Sequence, residues 1–191
     1  KWITAILGSL AAILVVSLAH GKEPAMTTIG AIYNLTGDQR NLDIPSSQGA
    51  ELAIDEINTA GGILGSPAKL LIEDGETNES VIAEKAAEMI AENADMPVII
   101  GMSDTDVVLA AATVAAKEER IFVTSGATSP LLPKDIPTYL FLACYGDNVQ
   151  AAAAASFVND ELKLASGAVL YKQDMSYTML LRRYFEESFR A

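Results

Sequence analysis

In this 191-residue chain, the residue types best suited to chemistry gather in two short polar loops rather than in a catalytic set. Met102-Ser103-Asp104-Thr105-Asp106 stands between an apolar run and a helical stripe. A helix opening there aims unpaired N–H groups and a partial positive charge at whatever lies in front of it. Ser103 and Thr105 then either hold a small anionic group or simply cap the helix. Thr124-Ser125-Gly126-Ala127-Thr128-Ser129-Pro130 follows the next apolar run. Its carbonyls and hydroxyls are acceptors of the kind that hold a cation, or else they form an ordinary turn closed by Pro130. A third group, Glu73-Asp74 with Glu76, has the ligand type for Ca²⁺ but not the spacing of a known loop. It reads as solvated.

Composition removes many alternatives. There is one cysteine, Cys144, and one histidine, His20. No disulfide closes within the chain and no Cys/His zinc set exists. A Ser-His-Asp or Cys-His site would have to use His20, which falls beside an apolar N-terminal segment. No catalytic residue, no metal and no cofactor is expected, so the chain reads as a non-enzyme. No Walker A pattern or dinucleotide fingerprint is present. The net charge is −12 and basic residues are not grouped, which argues against nucleic acid as a partner. With 50% hydrophobic and 20% charged residues, the chain is globular rather than disordered.

The segment Trp2 to Ala19 is apolar and uncharged after Lys1, and Ser17-Leu18-Ala19 places small residues where a signal peptidase reads. Residues 1–19 therefore read as a signal peptide, with an uncleaved anchor or a buried helix as the alternatives. Export places the mature protein outside the cytoplasm, in the periplasm. Lys1 in the place of Met, and a helical pattern running to Ala191, suggest that both ends are cut.

These loops need elements to position them. Six apolar runs read as strands: Thr28–Tyr33, Lys69–Glu73, Pro97–Gly101, Ile121–Thr124, Tyr139–Leu142 and Ala168–Tyr171. Several are apolar throughout, as strands buried on both faces of a parallel sheet are. Between them run helical stripes: Ala50, Ala53, Ile54 and Ile57; Ile82, Ala86, Met89 and Ile90; Val108, Ala111, Ala112 and Ala115; Val149, Ala153 and Phe157. A last helix starts near Tyr177. Gly61-Gly62 should end the first helix and Asn78 should cap the second. The alternation predicts an α/β fold, a doubly wound parallel sheet, with ligands beyond the carboxyl ends of its strands.

Read in order, the post-strand segments form a series. It runs through Ala31–Asp38, Gln48-Gly49-Ala50 to Asn58, Ala60–Gly65, Ile72-Glu73-Asp74, Ile99-Ile100-Gly101 and Thr124–Pro130. From about Thr27 to its end the chain resembles the periplasmic leucine/isoleucine/valine-binding proteins, type I solute-binding proteins of ABC importers. The resemblance implies two α/β lobes clamping a ligand, with residues 25–143 as lobe 1 and 144–191 as the crossover and start of lobe 2. It implies capture of an amino acid, branched-chain-like, for a membrane ABC permease. A sensory module, or a receptor for an amide or aromatic acid, is the alternative. Residue by residue, Thr105 aligns with a hydroxyl contact and Ser103 with a backbone contact to the ligand carboxylate. Gly126 aligns with a carbonyl contact and Thr128 with a hydroxyl contact to the ammonium, and Tyr177 with an aromatic that closes from lobe 2. Leu42, in the loop after the first strand, is placed to line the side-chain pocket. Asp104 and Asp106 flank Thr105, where they would repel a ligand carboxylate unless they face solvent or cap the helix.

Overall fold

The computed structural model describes residues 26–191, so the signal peptide expected at 1–19 and residue 25, the expected start of lobe 1, lie outside the described residues. The first five apolar runs form strands β1 (Thr27–Tyr33), β2 (Ala68–Asp74), β3 (Val98–Gly101), β4 (Ile121–Thr124) and β5 (Leu140–Leu142). All neighbouring strands are parallel, in the order β2-β1-β3-β4-β5. The order reverses at β1, which makes the β1/β3 edge a topological switch point, where such sheets open a crevice. Register fixes what meets there. Ile32 pairs with Gly101, Gly101 with Thr124 and Thr124 with Leu142. The loops leaving β1, β3 and β4 thus depart from one row of the sheet.

The helices are α1 (Arg40–Thr59), α2 (Glu79–Glu92), α3 (Val108–Lys117), α4 (Leu132–Asp135), α5 (Asp147–Ser156) and α6 (Ser176–Arg190), with a π-helical turn at Phe157–Glu161. Right-handed crossovers put α1 on one face of the sheet and α2 and α3 on the other. The main apolar cluster agrees: it joins Ile32, Ile99 and Phe122 to the stripes of α2 and α3 and contains no residue of α1. All eight residues of those two stripes are buried. The Asn78 side chain accepts from the N–H groups of Ser80 and Val81 and so caps α2. Past α1, Gly61 and Gly62 take φ of 105° and 80°, as an ending by left-handed residues requires.

Three expectations need correction. First, α1 begins ten residues before its apolar stripe and carries Pro45 within it. Ala50, Ile54 and Ile57 are only half-buried and Ala53 is exposed. Second, α5 turns a different face inward. Val149, Ala153 and Phe157 are exposed, while Asp147, Ala151 and Ala155 are buried. Both sets fit helical spacing in an alanine-rich run, so periodicity alone does not say which face turns inward. Third, Ala168–Tyr171 forms no strand. A strand needs a neighbour to satisfy its backbone groups, and no described strand flanks this one. Among the described residues, no helix is long and apolar enough to cross a membrane.

Candidate functional site

The loop after β3 is set by a backbone that few sequences tolerate. Gly101 has φ 131°, and a Cβ on it would strike the carbonyl oxygen of Ile32. Met102 follows, fully buried, with φ 56°, and its N–H donates to the Ile32 carbonyl at 3.1 Å. Two consecutive left-handed residues, the second of them a bulky one, are costly and persist where the surroundings hold them. They swing Ser103–Asp106 across the rim of the sheet.

Buried polar groups then tie the three loops together. Asp43, on the first turn of α1 and fully buried, accepts from the N–H of Asn34 at 2.8 Å and from the N–H of Ser103 at 3.0 Å. It thereby joins the loops after β1 and β3. Thr124 donates its hydroxyl to the Met102 carbonyl at 2.6 Å and accepts from the Ala127 N–H at 3.0 Å, joining those after β3 and β4. A Cβ on Gly126 would come within 3.0 Å of the Ser103 Cβ, so these two loops nearly touch. The Tyr33 phenol is pushed up by burial and by the Asp43 charge, with the Ser125 hydroxyl opposing.

Between the loops lies a hollow of about 530 Å³, within the range of small-ligand sites. Ser103, Thr105, Gly126, Thr128 and Tyr177 all line it, and so does Leu42. Leu42 does so from the first turn of α1 rather than from a loop. Thr105 is 8% exposed, and its hydroxyl oxygen has no hydrogen-bond partner. A buried hydroxyl without a partner is rare in native interiors and calls for an explanation. Ser103 differs from its expected part: its N–H is already committed to Asp43, which leaves its hydroxyl, 3.4 Å from that of Ser46, for anything in the hollow. Ser46 and Ser125 also line the space. Ser46 lies on the part of α1 that precedes its apolar stripe, where no periodic signal marks a helix.

The two acids beside Thr105 have other employment. The Asp104 carboxylate is buried and accepts from the Asp106 N–H at 2.9 Å. Burial raises its pKa, the Asp106 N–H opposes, and the charges of Asp106 and Asp43 add to the rise. Asp106 accepts from the N–H groups of Ser176 and Tyr177 on α6, at 2.7 and 3.3 Å. Asp106 does not cap α3, and Val107, its N-cap residue, offers no side-chain bond; Asp104 caps the turn that leads into the helix, its carbonyl also accepting from the Val108 N–H at 3.2 Å. Among the residues lining the hollow, Asp104 is the one carboxylate and none is Lys or Arg.

Asp74 is not the freely solvated acid that its sequence suggested. It accepts from the N–H groups of Leu35, Thr36 and Glu76 and from the Thr36 hydroxyl. Burial acts to raise its pKa, but these bonds outweigh it and the net shift is downward. Among the described residues, no group of three or more His, Cys, Asp or Glu side chains is arranged to hold a metal. A second hollow, of about 370 Å³, lies between α5, α6 and residues 168–171. It is mainly apolar, shares Gln150 and Thr178 with the first, and gathers none of the loops that converge there.

Comparison with known proteins decides the lineage. The family model for periplasmic binding proteins matches residues 27–191. The chain belongs to this family. A curated relative, the Leu/Ile/Val-binding protein BraC3 of Rhizobium johnstonii, is 34% identical over 160 residues, covering 82% of this chain and 42% of its own. The isoleucine complex of the branched-chain amino acid transporter substrate-binding protein LivJ from Streptococcus pneumoniae superposes with a TM-score of 0.80 at 23% identity, over 87% of this chain and 47% of that one. The leucine complex of an ABC transporter substrate-binding protein from Desulfitobacterium hafniense gives 0.73 at 25% identity, over 87% and 48%. As a periplasmic binding protein, the chain thus spans less than half the length of the relatives it matches.

Proposed function

We propose that this chain supplies the first lobe and the start of the second in an extracytoplasmic receptor. The receptor captures a branched-chain-like amino acid between its lobes and delivers it to an ABC permease in the membrane. Residues 25–143 form the first lobe and 144–191 the crossover and the opening of the second. Binding, not turnover, is the activity. The observation that carries this reading is the Thr105 hydroxyl, buried and unpartnered at a hollow that Thr128 and Tyr177 also line. A ligand carboxylate would give it an acceptor. The Gly126 carbonyl and the Thr128 hydroxyl supply acceptors for an ammonium. Among the described residues the lining holds no basic side chain, which suits a zwitterion better than a net anion, and the two solved relatives named above hold isoleucine and leucine.

Titration calorimetry of the full-length protein with L-leucine and L-isoleucine tests the reading. Thr105→Ala and Thr128→Ala should each weaken binding at least tenfold, about 1.4 kcal/mol. Unchanged affinity in both variants, or no binding by the parent protein, sinks it.

A further inference from the structure

Asp106 sits one residue before Val107, the N-cap residue of α3, near the free N–H groups with which that helix begins. It does not cap them. Its carboxylate instead crosses to α6, 70 residues further along the chain, and accepts from the Ser176 N–H at 2.7 Å and the Tyr177 N–H at 3.3 Å. The N-cap of α6, Met175, has no capping side chain of its own. The orphan donors at the start of this 15-residue helix are therefore satisfied by an anion from the other side of the hollow, placed where the helix dipole favours negative charge. The aim of that anion is fixed from behind, because the Asp106 N–H is held by the Asp104 carboxylate at 2.9 Å. Asp106 does not itself line the hollow, whereas Thr105 before it and Tyr177 at the far end of the bond do.

We infer that Asp106 is a positioning residue, an interlobe catch that caps α6 in trans and holds Tyr177 over the hollow. The catch joins the loop that carries Thr105 to the element that closes over a ligand. Forming it requires the lobes to approach, so it adds to the closed state a bond that the open state lacks, and only such differential contacts shift the balance between them. Its consequence for ligand capture rests on the receptor reading above; the bond itself does not.

Two measurements on the full-length protein separate these parts. The first, hydrogen exchange resolved to single amides, needs no ligand. Asp106→Ala should speed exchange at Ser176 and Tyr177 at least tenfold while leaving the α2 amides, capped by their own Asn78, unchanged. Asp106→Asn, which keeps one acceptor oxygen, should fall between. The second is stopped-flow binding of L-leucine. Asp106→Ala should raise the dissociation rate at least fivefold and leave association nearly unaltered, whereas mere loss of folded protein would reduce the bound amplitude at constant rates. Unaltered exchange at the two amides overturns the catch. Faster exchange with an unaltered dissociation rate overturns its part in holding the ligand. Failure of the parent protein to bind leucine counts against the receptor reading alone, and exchange then still decides the catch.

Discussion

A carboxylate in a protein interior with no hydrogen bond to either oxygen is a costly residue. Asp147 is one: it is fully buried, and neither oxygen has a partner. Its backbone N–H donates to the Thr128 carbonyl at 2.9 Å. Burial raises its pKa, and the neighbouring Thr128 hydroxyl, not in bonding geometry, opposes only in part. The Cys144 thiol nearby is raised as well, first by burial and then by the Asp147 charge. A raised acid binds its proton more tightly in the folded state than in the unfolded one. Its stabilising share is therefore full below the unfolded value, about 3.9, and is lost as pH rises through the folded value. Asp147→Asn should remove that loss. Denaturant unfolding should find the variant more stable than the parent at pH 7 by on the order of 1 kcal/mol, with the gain shrinking as pH falls toward 4. A constant difference across that span would show that the carboxylate is not the source. Hydroxyls just past apolar runs, read with the family resemblance, pointed to Thr105 and Thr128, and both line the hollow. Neither signal pointed to Asp43 or Asp147, which look like ordinary first-turn acids until the fold brings them against loops 60 and 19 residues away.

Elements were legible where burial left a pattern, a continuous apolar run in a strand covered on both faces or a one-sided period in a helix. The strands and the stripes of α2 and α3 show this, because the sheet and two neighbouring helices enclose them. Legibility failed where a neighbour decided the face, as in α5, or where a ladder partner was needed, as in Ala168–Tyr171. It failed too at the start of α1, where Pro45 masks a helix that the chain enters five residues earlier. The loop between β1 and α1 is ordered by Asp74 at the end of β2, through bonds spanning 38 and 39 residues. No local pattern announces such an arrangement. Asp74→Ala would strip these acceptors from a half-exposed site and should cost about 2 kcal/mol at pH 7. The lowered folded pKa sets the pH dependence. The stabilising share is present above about pH 4 and is lost as pH falls through the folded value. Parent and variant unfolding curves should therefore converge in acid. Equal stability at pH 7 would mean that solvent replaces Asp74 without cost.

At the scale of the molecule, the hollow is built by two unequal parties. Three loops of one sheet supply its floor, and α6 supplies Tyr177 as part of its cover. The parallel sheet was readable because its strands are short, apolar and regularly spaced. The meeting of α6 with the loop after β3 was not, because a bond between residues 70 apart leaves no periodic trace. The second party is thin here. Leu162, Leu164 and Leu170 are 49%, 51% and 99% exposed, and the chain spans less than half the length of the relatives it matches. If closure supplies a real share of the affinity, a fragment of residues 26–191 should bind L-leucine at least tenfold more weakly than the full-length protein, a difference of about 1.4 kcal/mol. The full-length protein should also contract on binding, as small-angle scattering would record, because a ligand bridging both lobes favours the closed state. Equal affinity in fragment and full-length protein, without contraction, would place the whole binding energy in the three loops and leave α6 a bystander.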